Sequence, residues 1–160
     1  MILHPIDPVF DEHSKILILG SFPSVKSREA EFFYGHPQNR FWKVLSTILC
    51  KDEPKSTQEK RTMLLENRIA LWDVIASCEI EGSADSTIKN AKANDLSRIL
   101  CHADIQKICV NGKTAKKYYD LYIKPAIGRE AICLPSTSPA NAAWSLERLT
   151  DAWRTLLLET

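Results

Sequence analysis

The stretch KILILGSFPS, residues 15–24, indicates the fold class of this chain. Its first six residues are an almost unbroken apolar run that ends in glycine, which is typical of a β-strand covered on both faces. Further short runs rich in Ile, Val and Leu follow along the chain, at Arg68–Val74, Ile105–Asn111 and Glu130–Leu134. Together with residues 15–20 they predict four buried strands.

Helical patterns fill the intervals between these runs. They cover Asn39–Cys50, Thr57–Asn67, Asn94–His102, Gly112–Tyr122 and Ser145–Leu158. Strands that alternate with helices indicate parallel pairing, so the prediction is an α/β fold, a three-layer α-β-α sandwich with a central four-stranded parallel sheet. Ligands bind such sheets at the carboxyl ends of the strands. Residues 79–94 are polar and lack periodicity, which predicts a long surface loop.

The composition limits the classes of protein to which the chain can belong. Its 160 residues fit a single domain over residues 1–160, and 44% hydrophobic with 26% charged residues excludes a disordered chain. The formal net charge of +1, from 21 basic and 20 acidic residues, is far below that of a protein that coats nucleic acid. An enzyme that visits DNA briefly needs only a local positive face, so that class stays open.

The five cysteines are scattered along the chain without a Cys-x-x-Cys pair. This pattern argues against a disulfide framework, a zinc site and a four-cysteine iron–sulfur cluster, so no metal and no cofactor is expected. Residues 1–15 lack the basic segment and apolar run of a signal peptide, and no apolar stretch reaches membrane-spanning length. The expectation is a cytoplasmic protein without a membrane partner.

Two motifs follow the first and the last predicted strand. The first is Gly-Ser-Phe-Pro at residues 20–23, continued by His-Pro-Gln-Asn-Arg-Phe-Trp-Lys-Val at residues 36–44, and the second is Leu-Pro-Ser-Thr-Ser-Pro-Ala-Asn at residues 134–141. Their order and spelling resemble the uracil-DNA glycosylase superfamily. Within it they most resemble the hypoxanthine-DNA (deoxyinosine) glycosylase family, and they are also similar to the mismatch-specific uracil/thymine glycosylases. The resemblance spans nearly the whole chain, and two motifs in the right order make it specific.

This resemblance implies an enzyme of base excision repair that flips a deaminated base out of DNA and hydrolyses its N-glycosidic bond. The base it implies is hypoxanthine, from deoxyinosine. The implied partners are damaged DNA, double-stranded or single-stranded, and an abasic-site endonuclease that takes the product. A monomer without a cofactor is implied as well. No lysine occupies a matched catalytic position, so strand-cutting lyase activity is not expected.

The resemblance assigns the catalytic role to Asn39. Relatives that excise uracil or thymine carry their catalytic Asn at the third position of the first motif, which is Phe22 here. An amide has no useful pKa, so Asn39 would orient a water or donate hydrogen bonds to the departing base. Such a role without proton transfer suits cleavage through an oxocarbenium-like state, because positioning and charge stabilisation supply much of the rate acceleration of that reaction. The alternative is that Asn39 only caps the following helix.

The base pocket is expected at the end of the first strand, with Gly20, Ser21 and Phe22 as base-binding residues. Tyr34 matches the aromatic residue that stacks on the base in the related glycosylases, since aromatic rings stack on unpaired bases. Its neighbours Phe32 and Phe33 are predicted to lie in the core instead.

Asp73 ends the second predicted strand. A carboxylate only accepts hydrogen bonds, and hypoxanthine presents a donor at N1 beside an acceptor at O6. Asp73 is therefore a candidate to accept a hydrogen bond from N1–H, while backbone N–H groups would donate hydrogen bonds to O6. An Asp at a strand end that caps the next turn is an equally open interpretation.

Short hydroxyl side chains beside the site are candidates for holding the phosphates next to the flipped nucleotide. They are Ser24, Ser136 and Ser138. The resemblance implies that Pro139, Ala140 and Asn141 press into the minor groove and fill the space that the base leaves. A purely local interpretation competes with this one, in which Ser138 is a helix N-cap and Pro139 the first helical residue.

Two other functions stay open from the sequence alone. The first is a mismatch-specific uracil/thymine-DNA glycosylase, against which Phe22 counts. The second is a nucleotide-binding α/β module without DNA chemistry, which would need a phosphate loop after the first strand. Residues 20–24 contain one glycine and match neither G-x-G-x-x-G nor G-x-x-x-x-G-K-[ST], so this second function has no motif to support it.

Overall fold

Four short strands form the central sheet of the protein, in a computed structural model that describes residues 1–158. They are β2 (Ile16–Gly20), β3 (Ile69–Asp73), β6 (Lys107–Asn111) and β7 (Ile132–Leu134). All neighbouring pairs run parallel, in the order β3-β2-β6-β7. The strand bounds differ by at most two residues from the predicted ones, and the predicted fold class is confirmed.

The apolar sequences of the strands explain why this sheet lies at the centre of the core. Leu17, Ile18 and Leu19 of β2 are fully buried, and every residue of β3 is buried. A sheet that is buried on both faces has to be covered by helices on both sides. The chain therefore returns to the sheet through helices after β2 and after β6.

Seven α-helices flank the sheet within residues 1–158. They are α1 (Val25–Ala30), α2 (Phe41–Ile48), α3 (Thr57–Glu66), α4 (Ser97–Leu100), α5 (Lys113–Tyr118), α6 (Lys124–Ile127) and α7 (Leu146–Leu158). A π-helical segment, Tyr119–Ile123, joins α5 to α6. The two amphipathic helices α2 and α7 pack against each other, with the rings of Phe41 and Trp153 edge to face at 5.7 Å. None of the helices in this part of the chain is long and apolar enough to cross a lipid bilayer.

The prediction of a long surface loop at residues 79–94 is wrong. This part of the chain contributes to a second, three-stranded antiparallel sheet of β1 (Ile2–Leu3), β4 (Ile75–Glu79) and β5 (Lys89–Ala93), in the order β1-β4-β5. No apolar pattern indicates β5 in the sequence, because Lys89–Ala93 is polar and largely exposed. Irregular pairing between β4 and β5 further weakens the alternation of apolar and polar residues.

Candidate active site

A cavity of about 590 Å³ opens at the carboxyl ends of the parallel strands. Gly20 ends β2, Asp73 ends β3 and Asn111 ends β6, and all three line the cavity together with Ser136, which follows β7. The chain leaves β2 for β3 on one side and later returns to β6 on the other, so the strand order reverses at β2. A crevice at such a switch point is where open α/β sheets bind their ligands.

The cavity brings together the residues that the sequence motifs singled out, with one exception. Those that line it are Gly20, Ser21, Phe22, Ser24, Tyr34, Asn39, Asp73, Ser136, Ser138, Pro139 and Ala140. The exception is Asn141, whose side-chain amide donates a 3.0 Å hydrogen bond to the Ser136 carbonyl. Asn141 therefore stabilises the loop after β7 and does not line the cavity.

Asn39 lies at the head of α2 and is half-buried in the cavity wall. Its Oδ1 accepts a 2.9 Å hydrogen bond from the backbone N–H of Phe41. The side chain therefore accepts a hydrogen bond from the first N–H of α2, although Arg40 is the N-cap residue, and it also lines the cavity. The bond fixes the orientation of the amide, and Oδ1 keeps a second lone pair while Nδ2 keeps both of its protons for a ligand.

Arg40 joins the two motifs across this end of the sheet. Its guanidinium donates hydrogen bonds to the carbonyl oxygens of Asn141, at 3.1 Å, and Trp144, and its backbone N–H donates to the carbonyl of Thr137 at 3.1 Å. At the end of β6, the Asn111 amide donates a hydrogen bond to Thr137 Oγ1 at 2.9 Å. Its Oδ1 accepts one from the backbone N–H of Thr137 at 3.1 Å. The head of α2, the end of β6 and the loop after β7 are therefore held in one fixed arrangement.

Replacing Arg40 by alanine is expected to lower the free energy of unfolding by about 2 kcal/mol, because hydrogen bonds from a charged donor contribute about 1.5 to 3 kcal/mol each and part of this is regained by water. Urea titration followed by circular dichroism measures the change. The matched control is Arg154→Ala, since Arg154 is exposed and, within residues 1–158, pairs only with Asp151 one turn away, at 2.9 Å. That control should change stability by less than about 0.5 kcal/mol. Equal losses in the two variants would show that the hydrogen bonds of Arg40 to the loop after β7 do not stabilise the protein.

Tyr34 adopts a left-handed backbone conformation, with φ at 53°, which is uncommon for an aromatic residue. Its ring stacks on Phe41 at a centroid distance of 4.2 Å. Its hydroxyl oxygen is buried and has no hydrogen-bond partner among the described residues. Burial, together with the nearby Asp73 carboxylate, raises the pKa of this hydroxyl far above the usual range, and the Asn111 side chain beside it offsets only part of the rise, so the hydroxyl stays protonated. The predicted core positions of Phe32 and Phe33 are confirmed, at 3% and 2% exposure.

Asp73 pairs with a residue that sequence reasoning missed, His4. The His4 Nε2 lies 2.7 Å from Asp73 Oδ2, and the two side chains are only 3% and 5% exposed. His4 Nδ1 accepts a hydrogen bond from the N–H of Ile6, so the ring proton sits on Nε2 and is donated to the carboxylate. The carboxylate lines the cavity and is held by this buried partner. No sequence motif marks His4, which lies 69 positions from Asp73.

Asp85 is the second missed residue. It lies in a short 3-10 segment between β4 and β5, Asp85–Thr87, and both of its carboxylate oxygens lie 3.2 Å from the Ser21 hydroxyl, which donates to them. The carboxylate is open to the cavity but has lost part of its hydration there, which raises the pKa of Asp85, while the Ser21 hydrogen bond partly offsets the rise. The segment that connects β4 to β5, within the predicted loop, thus places a carboxylate at the cavity.

Comparisons with known proteins agree with this geometry. The family model of the uracil DNA glycosylase superfamily matches residues 8–157. The chain is 37% identical over 150 residues to the hypoxanthine DNA glycosylase of Methanosarcina acetivorans, covering 92% of this chain and 94% of that protein. It is 36% identical over 148 residues to the enzyme of the same name from Methanosarcina barkeri, covering 91% and 92%.

A solved solution NMR structure, of a candidate uracil DNA glycosylase from Methanosarcina acetivorans, superposes with a TM-score of 0.79 at 35% identity. It covers 98% of this chain and 99% of that one. The family that the two motifs predicted is therefore confirmed, and the chain belongs to the uracil-DNA glycosylase superfamily.

Proposed function

We propose that the protein is a monofunctional DNA glycosylase of base excision repair that takes hypoxanthine from deoxyinosine in DNA. Membership of the superfamily and relatives named as hypoxanthine DNA glycosylases support this substrate. The observation that carries the proposal is the position of Asn39, whose oriented amide shares one cavity with the loop Ser136–Ala140 at the carboxyl ends of the strands.

The reaction is hydrolysis of the bond between C1′ of the sugar and N9 of the base. As that bond breaks, its electrons stay with the base, the sugar becomes oxocarbenium-like, and a water forms the new bond to C1′ while its proton passes to the base or to solvent. Asn39 Oδ1 has a lone pair left to orient this water, and Nδ2 can donate to the leaving base or to a phosphate. Among residues 1–158 no lysine lines the cavity, which agrees with release of the base without strand cutting.

The loop after β7 is the proposed contact with the DNA strand. Pro139 and Ala140 are exposed at the rim of the cavity, where they can fill the space that an extruded base leaves. Ser138 Oγ accepts a hydrogen bond from the N–H of Ala140, as the local capping pattern predicted, and its own proton stays available for a phosphate. Ser136 offers its hydroxyl proton in the same way, whereas Ser24 donates to Ser27 and caps α1.

An excision panel tests the proposed function. Duplex and single-stranded oligonucleotides carrying hypoxanthine, uracil, xanthine or thymine would be incubated with the protein, and free base and abasic sites measured by chromatography and by strand cleavage in alkali. The proposal predicts release of hypoxanthine with the highest single-turnover rate. Release of uracil or thymine alone would instead identify a mismatch-specific uracil/thymine glycosylase, and no release at all would leave a module without DNA chemistry.

The proposal extends to how the enzyme works in the cell. We place it in the cytoplasm as a monomer in which residues 1–160 form one domain. The enzyme would pass its abasic site to an endonuclease. Adding a purified abasic-site endonuclease is expected to raise multiple-turnover excision, because removal of the product frees the glycosylase. Light scattering of the protein alone and with DNA checks the monomer, and a dimer in both samples would contradict it.

Asp85→Asn is expected to bind DNA about threefold more tightly, because one unit charge near a phosphate in a solvated site contributes a fraction of a kcal/mol to about 1 kcal/mol. Since the pKa of Asp85 is raised, protonation on lowering the pH removes the same negative charge, so the wild type should approach the affinity of the variant as the pH falls. Fluorescence anisotropy with a non-cleavable abasic analogue, repeated as the pH is lowered from neutral, measures both effects.

The matched control for this experiment is Asp104→Asn. Asp104 pairs with Lys15 at 3.5 Å, next to the amino ends of β2 and β6 and so at the opposite edge of the sheet. That variant should bind DNA like the wild type at every pH. An identical pH dependence in the wild type and in Asp85→Asn would rule out Asp85 as the group responsible.

A further inference from the structure

Gly20, Tyr34 and Asp73 line the cavity at the ends of β2 and β3, and we call them its floor. This floor contains a buried hydroxyl without a hydrogen-bond partner among residues 1–158. The Tyr34 hydroxyl is shielded from solvent and meets no partner among residues 1–158 at hydrogen-bond distance and angle, although the Asn111 side chain lies near enough to influence its pKa. Buried polar groups in folded proteins are nearly always paired, and the exceptions need an explanation. A site for a ligand explains this one, because the same residue lines the cavity.

An acceptor lies beside this donor. A Cβ placed on Gly20 would meet Asp73 Oδ1 at 2.3 Å and Tyr34 Oη at 2.8 Å, so the two oxygens flank the same point at the end of β2. Asp73 Oδ2 is already bound by His4, which leaves Oδ1 as the oxygen directed to the cavity. The absence of a side chain at Gly20 gives a ligand access to both oxygens.

The protonation of the two groups fixes their roles. A carboxylate can only accept hydrogen bonds, and His4 donates to it, so Asp73 Oδ1 is an acceptor. Burial and the neighbouring Asp73 raise the pKa of Tyr34 more than the Asn111 side chain lowers it, so the hydroxyl remains protonated and available as a donor. The floor therefore presents one donor beside one acceptor.

We propose that this floor recognises the lactam edge of a deaminated base, with Asp73 Oδ1 accepting from the ring N–H and the Tyr34 hydroxyl donating to the adjacent carbonyl. The inference rests on the proposed function and states which edge of the base the site selects. Hypoxanthine presents N1–H beside O6. Adenine presents the reverse, an N1 acceptor beside an amino donor, and its N1 lone pair would face the Asp73 carboxylate.

Deamination of cytosine to uracil makes the same change as deamination of adenine to hypoxanthine. Uracil and xanthine share the lactam edge, whereas cytosine has the reversed pattern of adenine, so the floor accepts the deaminated bases and rejects adenine and cytosine. Guanine carries the edge too, and its three hydrogen bonds to cytosine make it costly to extrude from the duplex. Tyr34 thus contributes its hydroxyl to the base, in addition to the ring that was predicted as a stacking platform.

Substrate analogues paired with Tyr34→Phe test the donor. Deoxyinosine and deoxynebularine differ in the lactam, since nebularine lacks both O6 and the N1 proton. Tyr34→Phe should lower the single-turnover rate on deoxyinosine about tenfold relative to wild type, the effect of one neutral hydrogen bond, and leave the rate on deoxynebularine unchanged. Because each rate is divided by that of the wild type on the same substrate, the leaving ability of the base cancels. Equal losses on both substrates, or no loss on either, would overturn the assignment of Tyr34.

Thermal melting of Tyr34→Phe provides a second readout. The variant keeps the ring that stacks on Phe41 and removes a buried hydroxyl without a partner, so its melting temperature should equal or exceed that of the wild type. A clear fall in melting temperature would mean that the hydroxyl supports the fold, which contradicts the proposal.

The acceptor is tested through Asp73 and through His4 as its positioning residue. The wild type should cleave 1-methyldeoxyinosine at least about 100-fold more slowly than deoxyinosine, since the methyl group removes the donor to a charged acceptor. Asp73→Asn should lower the ratio of hypoxanthine to adenine release at least tenfold, because an amide can turn its NH₂ toward N1 of adenine. His4→Leu should lower that ratio as well, and His4→Gln, which can still donate at the Nε2 position, should restore it.

The failure of this inference differs visibly from the failure of the proposed function. If the wild type releases no hypoxanthine at all, the proposed function is wrong. If the wild type releases hypoxanthine but cleaves 1-methyldeoxyinosine equally fast, or if Asp73→Asn keeps the wild-type preference among bases, the enzyme is a glycosylase whose floor does not recognise the lactam edge.

Discussion

Replacing Asn39 by alanine is expected to lower the single-turnover rate of hypoxanthine release by about 100- to 1000-fold, the loss found when one oriented hydrogen-bonding group is removed from a site of charge development. The structure places this amide in the cavity with its orientation fixed by the Phe41 N–H. Rapid-quench measurements with enzyme in excess over deoxyinosine DNA would give the rate of the chemical step without product release.

The role of Asn39 as a helix cap can be separated from its role in the cavity. Loss of the cap in Asn39→Ala should reduce the free energy of unfolding by about 1 kcal/mol. Asn39→Ser supplies a capping oxygen but no amide, so it should recover stability and remain as inactive as the alanine variant. If the serine variant regained the wild-type rate, or if the alanine variant stayed within threefold of it, Asn39 would be a cap alone.

Gly20→Ala should lower excision at least about 100-fold, because a displacement of about 1 Å in a catalytic arrangement has effects of this size. The new Cβ would stand 2.3 Å from Asp73 Oδ1 and 2.8 Å from Tyr34 Oη, so one of these groups has to move. His4 pairs with the other oxygen of Asp73 in a buried position and prevents that carboxylate from retreating. The same single-turnover assay measures the loss.

The control for Gly20 is Gly128→Ala, at the end of α6. Gly128 has φ at 68°, which disfavours alanine, but nothing lies near its added Cβ and it does not line the cavity. This variant should be destabilised by about 1 kcal/mol and keep its excision rate. If the Gly20→Ala enzyme were as active as the Gly128→Ala enzyme, the cavity floor would have space for a Cβ at Gly20 after all.

The amino-acid sequence alone determined the central sheet and most of the cavity. The strands could be predicted because a strand covered on both faces has to be apolar throughout, as in residues 16–19. The cavity could be placed because parallel strands bring their carboxyl ends to one edge, so the residues that end them, such as Gly20 and Asp73, had to meet there. Each of these inferences depends only on neighbours along the chain.

The second sheet and three residues at the site needed the tertiary structure. His4, Arg40 and Asp85 contact partners that lie 69, 101 to 104 and 64 positions away. His4 and Asp85 lie outside both motifs, and the motif that contains Arg40 does not indicate which residues it contacts. Hydrogen bonds between distant residues depend on where the folded backbone places each side chain, to within a few tenths of an ångström, and local periodicity contains no information on this. The sequence therefore determined the edge of the sheet where the base would bind, and only the folded chain decided which donor and acceptor meet it.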